Sequence, residues 1–163
     1  MTSPFNLATD VMEQWVNKNY GVVPQKFRRQ IRLLEMGKPN GLHTQGYDLS
    51  VEPVKTKLAY PDQYFDAIVD VLYICRETQS NQVFDELHRL LKRGGRLFSV
   101  VPKFTSDDEA FQDIDSIQFF PIEVLRRCFN GKFKYKINSL EHTPDVTESK
   151  TIRFWLVDAL KVM

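Results

Sequence analysis

Residues 65–102, FDAIVDVLYICRETQSNQVFDELHRLLKRGGRLFSVVP, constrain the fold more than any other part of this 163-residue chain. Phe65 to Leu72 is an apolar run with Asp66 and Asp70 set into it, and it reads as a buried strand. Val83, Phe84, Leu87, Leu90 and Leu91 then recur at helical spacing. One face of that stretch is apolar, and Asp85, Glu86 and Arg89 are expected to look outward. Gly94-Gly95 is expected to end the helix, and Arg96–Val101 follows as a second strand that Pro102 stops. Strand, crossover helix and strand make a βαβ unit, which implies a parallel sheet covered by helices.

The flanking segments extend this unit. Residues 5–19 place Leu7, Val11, Met12, Trp15 and Val16 on one face of a helix ending near Asn19-Tyr20-Gly21. Pro24 can open a second helix through Gln30. Residues 1–30 thus read as a helical cap on a single domain spanning 1–163. Arg28, Arg29 and Arg32 form a small basic cluster whose simplest meaning is a solvated face. Ile31 to Met36 fits a strand ending in the Gly37 turn, and equally the tail of the preceding helix with Gly37 as its cap. Leu42 to Ser50 reads as a brief strand ending at Asp48. Residues 103–117 are polar and acidic and are expected to be mobile. Pro121 opens a helix to Phe129, closed by Asn130-Gly131. Residues 133–140 and 151–160 alternate as strands and suggest an antiparallel pair. The fold class expected is α/β, a Rossmann-like, mostly parallel sheet flanked by helices with an antiparallel C-terminal hairpin.

Composition narrows the partners. The 22 Lys and Arg nearly balance the 21 Asp and Glu, so no global field attracts nucleic acid or an anionic membrane. No apolar run approaches a membrane span, and MTSPFNLATD lacks the features of a signal peptide. Cys75, in an apolar strand, and Cys128, in a helix, read as reduced, buried thiols of a cytoplasmic protein. His43, His88 and His142 are isolated, and no group has metal-ligand spacing.

The order of these signals resembles the class I S-adenosylmethionine-dependent methyltransferases, in the compact type 11-like branch. Leu58-Ala59-Tyr60-Pro61-Asp62-Gln63-Tyr64-Phe65-Asp66-Ala67-Ile68-Val69 is similar to that family's "LPFPDNSFDAIV" segment. Leu87-His88-Arg89-Leu90-Leu91-Lys92-Arg93-Gly94-Gly95-Arg96-Leu97 is similar to its "E-x-x-R-V-L-K-P-G-G-x-L" segment. The resemblance implies a seven-stranded sheet in which residues 65–102 supply the fourth strand, crossover helix and fifth strand. It implies S-adenosylmethionine as cofactor, S-adenosylhomocysteine as product, and a small-molecule or sugar-like methyl acceptor.

The family's glycine loop matches Leu33-Leu34-Glu35-Met36-Gly37-Lys38-Pro39-Asn40-Gly41, with Glu35, Gly37 and Gly41 in register and Pro39 in place of the middle glycine. Its ribose-binding acid, at the end of the second strand, matches Asp48, since a carboxylate accepts two hydroxyl hydrogen bonds at once. The interval from Gly37 to Asp48 is too short for the usual helix, and residues 53–57 carry no adenine-side carboxylate. Asp70 and Tyr73, beyond the carboxyl end of their strand, fall on the substrate side. Methyl transfer to a competent nucleophile needs alignment and dryness more than acid–base groups, so the lack of a catalytic motif does not exclude an enzyme. Two readings follow. One is a methyltransferase holding its cofactor with Glu35, Gly37, Gly41 and Asp48. The other is a methyltransferase-like fold with weakened cofactor binding that serves as a binding or regulatory partner for another protein.

Overall fold

The computed structural model describes residues 4–39, 41–103, 118–142 and 151–162. Strands β1 (Arg32–Met36), β2 (Asp48–Glu52), β3 (Phe65–Val71), β4 (Leu91–Pro102), β5 (Phe133–His142) and β6 (Ile152–Lys161) form one sheet in the order β2-β1-β3-β4-β6-β5. The joins from β2 to β4 are parallel, and β6 runs antiparallel to both β4 and β5. Residues 31–36, open between helix and strand on local grounds, form a strand because Leu33, Leu34, Glu35 and Met36 are all buried between two neighbours. β3 is buried along nearly its whole length, as a continuous apolar run demands. β2 and β5 close the edges, and β5 alternates its charged side chains Lys134 and Lys136 with partly buried Tyr135 and Ile137.

Helix α1 (Pro4–Tyr20) covers one face of β3 and β4 and buries Ala8, Met12, Trp15 and Val16. It runs against the strand direction. Phe5 meets Tyr73, just past the carboxyl end of β3, whereas the Tyr20 hydroxyl reaches the Asp66 carbonyl near that strand's start, at 3.5 Å. Helices α2 (Ser80–Leu90) and α3 (Ile122–Phe129) pack on each other, with Phe84 and Phe129 4.7 Å apart between ring centroids.

Several expectations need correction. Residues 65–102 supply the third and fourth strands, because the described residues between 37 and 64 hold only the 3-10 turn Leu42–Thr44 and β2. Pro24 is followed by a 3-10 helix, Gln25–Gln30, rather than an α-helix. Helix α2 ends at Leu90, before the glycines. Leu91 is already extended, and the Lys161 ammonium donates to the His88 and Leu91 carbonyls at 2.7 and 2.8 Å, satisfying them at the helix end. Gly94, at φ 81, sits instead in an irregularity within β4, where the register shifts between Phe65 and Ala67. Cys75 lies in the 3-10 turn Ile74–Arg76, and both cysteines are buried free thiols. Residues 104–117, expected to be mobile, and the loop 143–150 lie outside the described residues.

Glu86 does not look outward. Its carboxylate is buried and accepts two hydrogen bonds from Arg89, each 2.7 Å, and one from the Leu58 N–H at 2.6 Å. Arg89 also donates to the carbonyls of Leu58 and Tyr60 and to Asp62. The pair fastens α2 to the loop that enters β3. Hydrogen bonds from Arg89 hold the Glu86 carboxyl below its usual range.

Candidate functional site

The carboxyl ends of β1, β2 and β3 converge on one turn. Met36 lies opposite Glu52 on one side and Asp70 on the other. The Gly37 N–H donates to the Glu52 carbonyl at 2.7 Å, and Gly37 turns the chain at φ 92, in the left-handed region that favours glycine. The main chain of Glu52 therefore stands beside the glycine turn, and its carboxylate accepts a 2.6 Å hydrogen bond from the Tyr60 hydroxyl. Glu35, 1% exposed, occupies the register row Val51–Glu35–Val69–Phe98. Trp15 of α1 stacks on Phe98 at 5.2 Å, so Glu35 is on the face that α1 covers.

The turn after β3 is built on Asp70, which is fully buried. Its carboxylate accepts the Ser99 hydroxyl at 2.7 Å and the N–H groups of Tyr73 and Ile74 at 3.2 and 3.0 Å. Burial pushes its pKa up to about 6, and those three hydrogen bonds with the nearby Arg76 offset only part of that rise. Leu72, buried, is held at φ 61 while its N–H bonds the Val100 carbonyl at 3.1 Å. A side chain in the left-handed region is strained. The following residue, Tyr73, lays its ring on Gly37: a Cβ on that glycine would come within 2.3 Å of the ring. Phe5 meets the Tyr73 ring edge-on at 6.0 Å, and the Arg76 guanidinium lies 4.2 Å from its centroid.

Glu35, Gly37, Asp70 and Tyr73 thus gather at one end of the sheet, and Gly41 is in the loop that leaves it. Asp48 does not join them. It is the first residue of β2, opposite Arg32, and forms a 3.9 Å ion pair with that side chain at 55% exposure. The four-residue step from Asp48 to Glu52 is about 13 Å along a strand. Gly46, at φ 92, and the turn 42–44 use up the residues read as strand, so pairing begins only after Tyr47. The acid at the carboxyl end of β2 is Glu52. Its signal in the sequence was Pro53, which stops a strand as Pro102 does.

Residues 31–99 match the family model described as "Methyltransferase domain". The YcgJ protein of Bacillus subtilis superposes with a TM-score of 0.67 at 11% identity, covering 96% of this chain and 98% of that one. An S-adenosylmethionine-dependent methyltransferase from Archaeoglobus fulgidus gives 0.65 at 11%, covering 94% of each chain. A chain of the structure described as "Complex between the Haloferax volcanii Trm112 methyltransferase activator and the putative methyltransferase" gives 0.60 at 11%, covering 100% of each. This is a methyltransferase fold. No curated protein sequence matches the chain.

Against the cofactor that a methyltransferase fold implies, the residues fit in kind. Glu52 offers a carboxylate for a vicinal diol beside a glycine turn, and Glu35 lies buried just before that turn. The space a backbone-hugging ligand needs over Gly37 is filled by Tyr73.

Proposed function

We propose that the chain is an S-adenosylmethionine-dependent methyltransferase acting on a small molecule, with its cofactor site across the carboxyl ends of β1 and β2. The observation that carries this is the Gly37 N–H bonded to the carbonyl of Glu52, which joins the glycine turn to the acidic residue that ends β2. Glu52 takes the ribose hydroxyls, exchanging the Tyr60 hydroxyl for them. Gly37 and Gly41 let the backbone approach the methionine end. The cofactor supplies an already activated methyl group, so the chain's work is to align the acceptor and exclude water. Asp70, buried and holding three donors, positions the turn that carries Tyr73 on the substrate side. Near-neutral charge favours a small acceptor over nucleic acid, and the two buried free thiols suit the cytoplasm.

A non-catalytic role as a protein-binding partner is the second reading. It is favoured by Pro39 in the glycine loop and by the Tyr73 ring on Gly37. The activator bound to the Haloferax protein makes a protein partner reasonable in either case. Titration calorimetry with S-adenosylmethionine and S-adenosylhomocysteine separates the two. Wild type is expected to bind both. Glu52→Gln is expected to weaken each by roughly 10–100-fold, the loss of charge-assisted hydrogen bonds worth ~1.5–3 kcal/mol. A folded wild type that ignores both ligands at millimolar concentration would sink the enzyme reading.

A further inference from the structure

We infer that Tyr73 is a built-in plug: its ring occupies the place of the cofactor's methionine end over Gly37, and binding requires it to swing away. The inference rests on the cofactor site proposed above and says how that site is regulated.

Three observations converge on it. First, a glycine at this turn serves a ligand only if the space over its Cα is open, and here an aromatic ring fills that space closely enough that a Cβ could not be added. Second, the ring is clamped rather than loosely placed. Phe5, near the start of α1, meets it edge-on, and the Arg76 guanidinium stacks near it while its Nε donates to the Leu72 carbonyl at 2.8 Å. Third, the residue that aims it, Leu72, is a buried non-glycine in the left-handed region. Such strain persists only where the surroundings over-determine it, and here the Asp70 carboxylate and the Val100 carbonyl fix the backbone on either side. A rotation of Tyr73 away from Gly37 breaks the Phe5 contact, so opening the plug loosens the first turn of α1 as well. Because a ligand must displace the ring, its apparent affinity is reduced by the fraction of time the plug is open.

The test is calorimetric titration of S-adenosylhomocysteine into the full chain and its variants. Tyr73→Ala is expected to bind at least tenfold more tightly than wild type, and Phe5→Ala a few-fold more tightly. In protein carrying 3-fluorotyrosine, the Tyr73 fluorine resonance, assigned with Tyr73→Phe, is expected to shift on saturation. Should Tyr73→Ala fail to fold, Phe5→Ala and the fluorine resonance carry the test. A wild type that binds, with variants that bind no tighter and a Tyr73 resonance that stays put, overturns the plug and leaves the cofactor site standing. Failure of wild type and both variants to bind overturns the cofactor site itself, and the plug with it.

Discussion

Between β3 and β4 the 19 residues 72–90 build a 3-10 turn and an 11-residue helix; between Met36 and Asp48 the 11 residues 37–47 form, among the described residues, a 3-10 turn. The two crossovers join strands of the same parallel sheet, yet they are held in opposite ways. α2 is fastened through Arg89 and Glu86 to the loop that enters β3. The β1–β2 crossover is held by glycine geometry at residues 37, 41 and 46 and by aromatic packing on Gly37. The difference teaches where stability and function separate. The βαβ unit of residues 65–102 carries the fold. The clipped crossover, tied by Arg28 at Gln45 and Tyr47 and by Gly37 to Glu52, carries the glycine turn of the proposed cofactor site.

The largest effect that would sharpen this contrast is Arg89→Ala. It removes five hydrogen bonds and leaves the buried Glu86 carboxylate with only the Leu58 N–H. Urea unfolding is expected to show a loss of about 3 kcal/mol, typical of breaking a buried pair on one side. A loss under about 1 kcal/mol would mean that α2 is not fastened there.

Asp70 supplies a smaller effect with a distinctive sign. Its carboxyl is held at about 6 by burial, above its ordinary 3.8. Between about pH 4 and 6 the unfolded chain has released this proton while the folded chain keeps it. Its contribution to stability therefore falls as pH rises through that window and is flat above it, by on the order of 2–3 kcal/mol. Glu86, lowered by Arg89, runs the other way: its contribution is present above the usual carboxylate range and is lost as pH falls through its lowered value. Asp70→Asn keeps one acceptor oxygen for the Tyr73 and Ile74 N–H groups and removes the titration. Chemical denaturation at pH 4.5 and 7.5 is expected to show the variant gaining on wild type at the higher pH. Equal differences at the two pH values would contradict the burial of an ionisable Asp70.

How much of this was legible followed from how locally each feature is determined. The apolar run of β3, the helical spacing of α2 and the alternation of β5 each report their own element, and all three are present, though α2 ends at Leu90 rather than at the glycines. Ile31–Met36 was ambiguous because its six residues suit helix and strand alike, and only burial between β2 and β3 decides. Asp48 was misplaced because a Gly-Tyr-Asp run looks the same at either end of a strand. Pairing of Arg32 with Asp48 settles which end it is. The inward turn of Glu86 and the seat of Tyr73 on Gly37 are tertiary contacts across 28 and 36 residues, and no local pattern announces them.

Glu52, at the opposite end of β2 from Asp48, is the carboxylate we propose for the cofactor. The most direct measurement is a paired titration of S-adenosylhomocysteine into Glu52→Gln and Asp48→Asn. Asp48→Asn alters only an exposed ion pair at 3.9 Å, so its stability should change by less than about 0.5 kcal/mol. Its affinity should stay within twofold of wild type. Glu52→Gln should lose at least tenfold. The reverse pattern, with Asp48→Asn losing affinity and Glu52→Gln retaining it, would contradict the strand register on which the site is built.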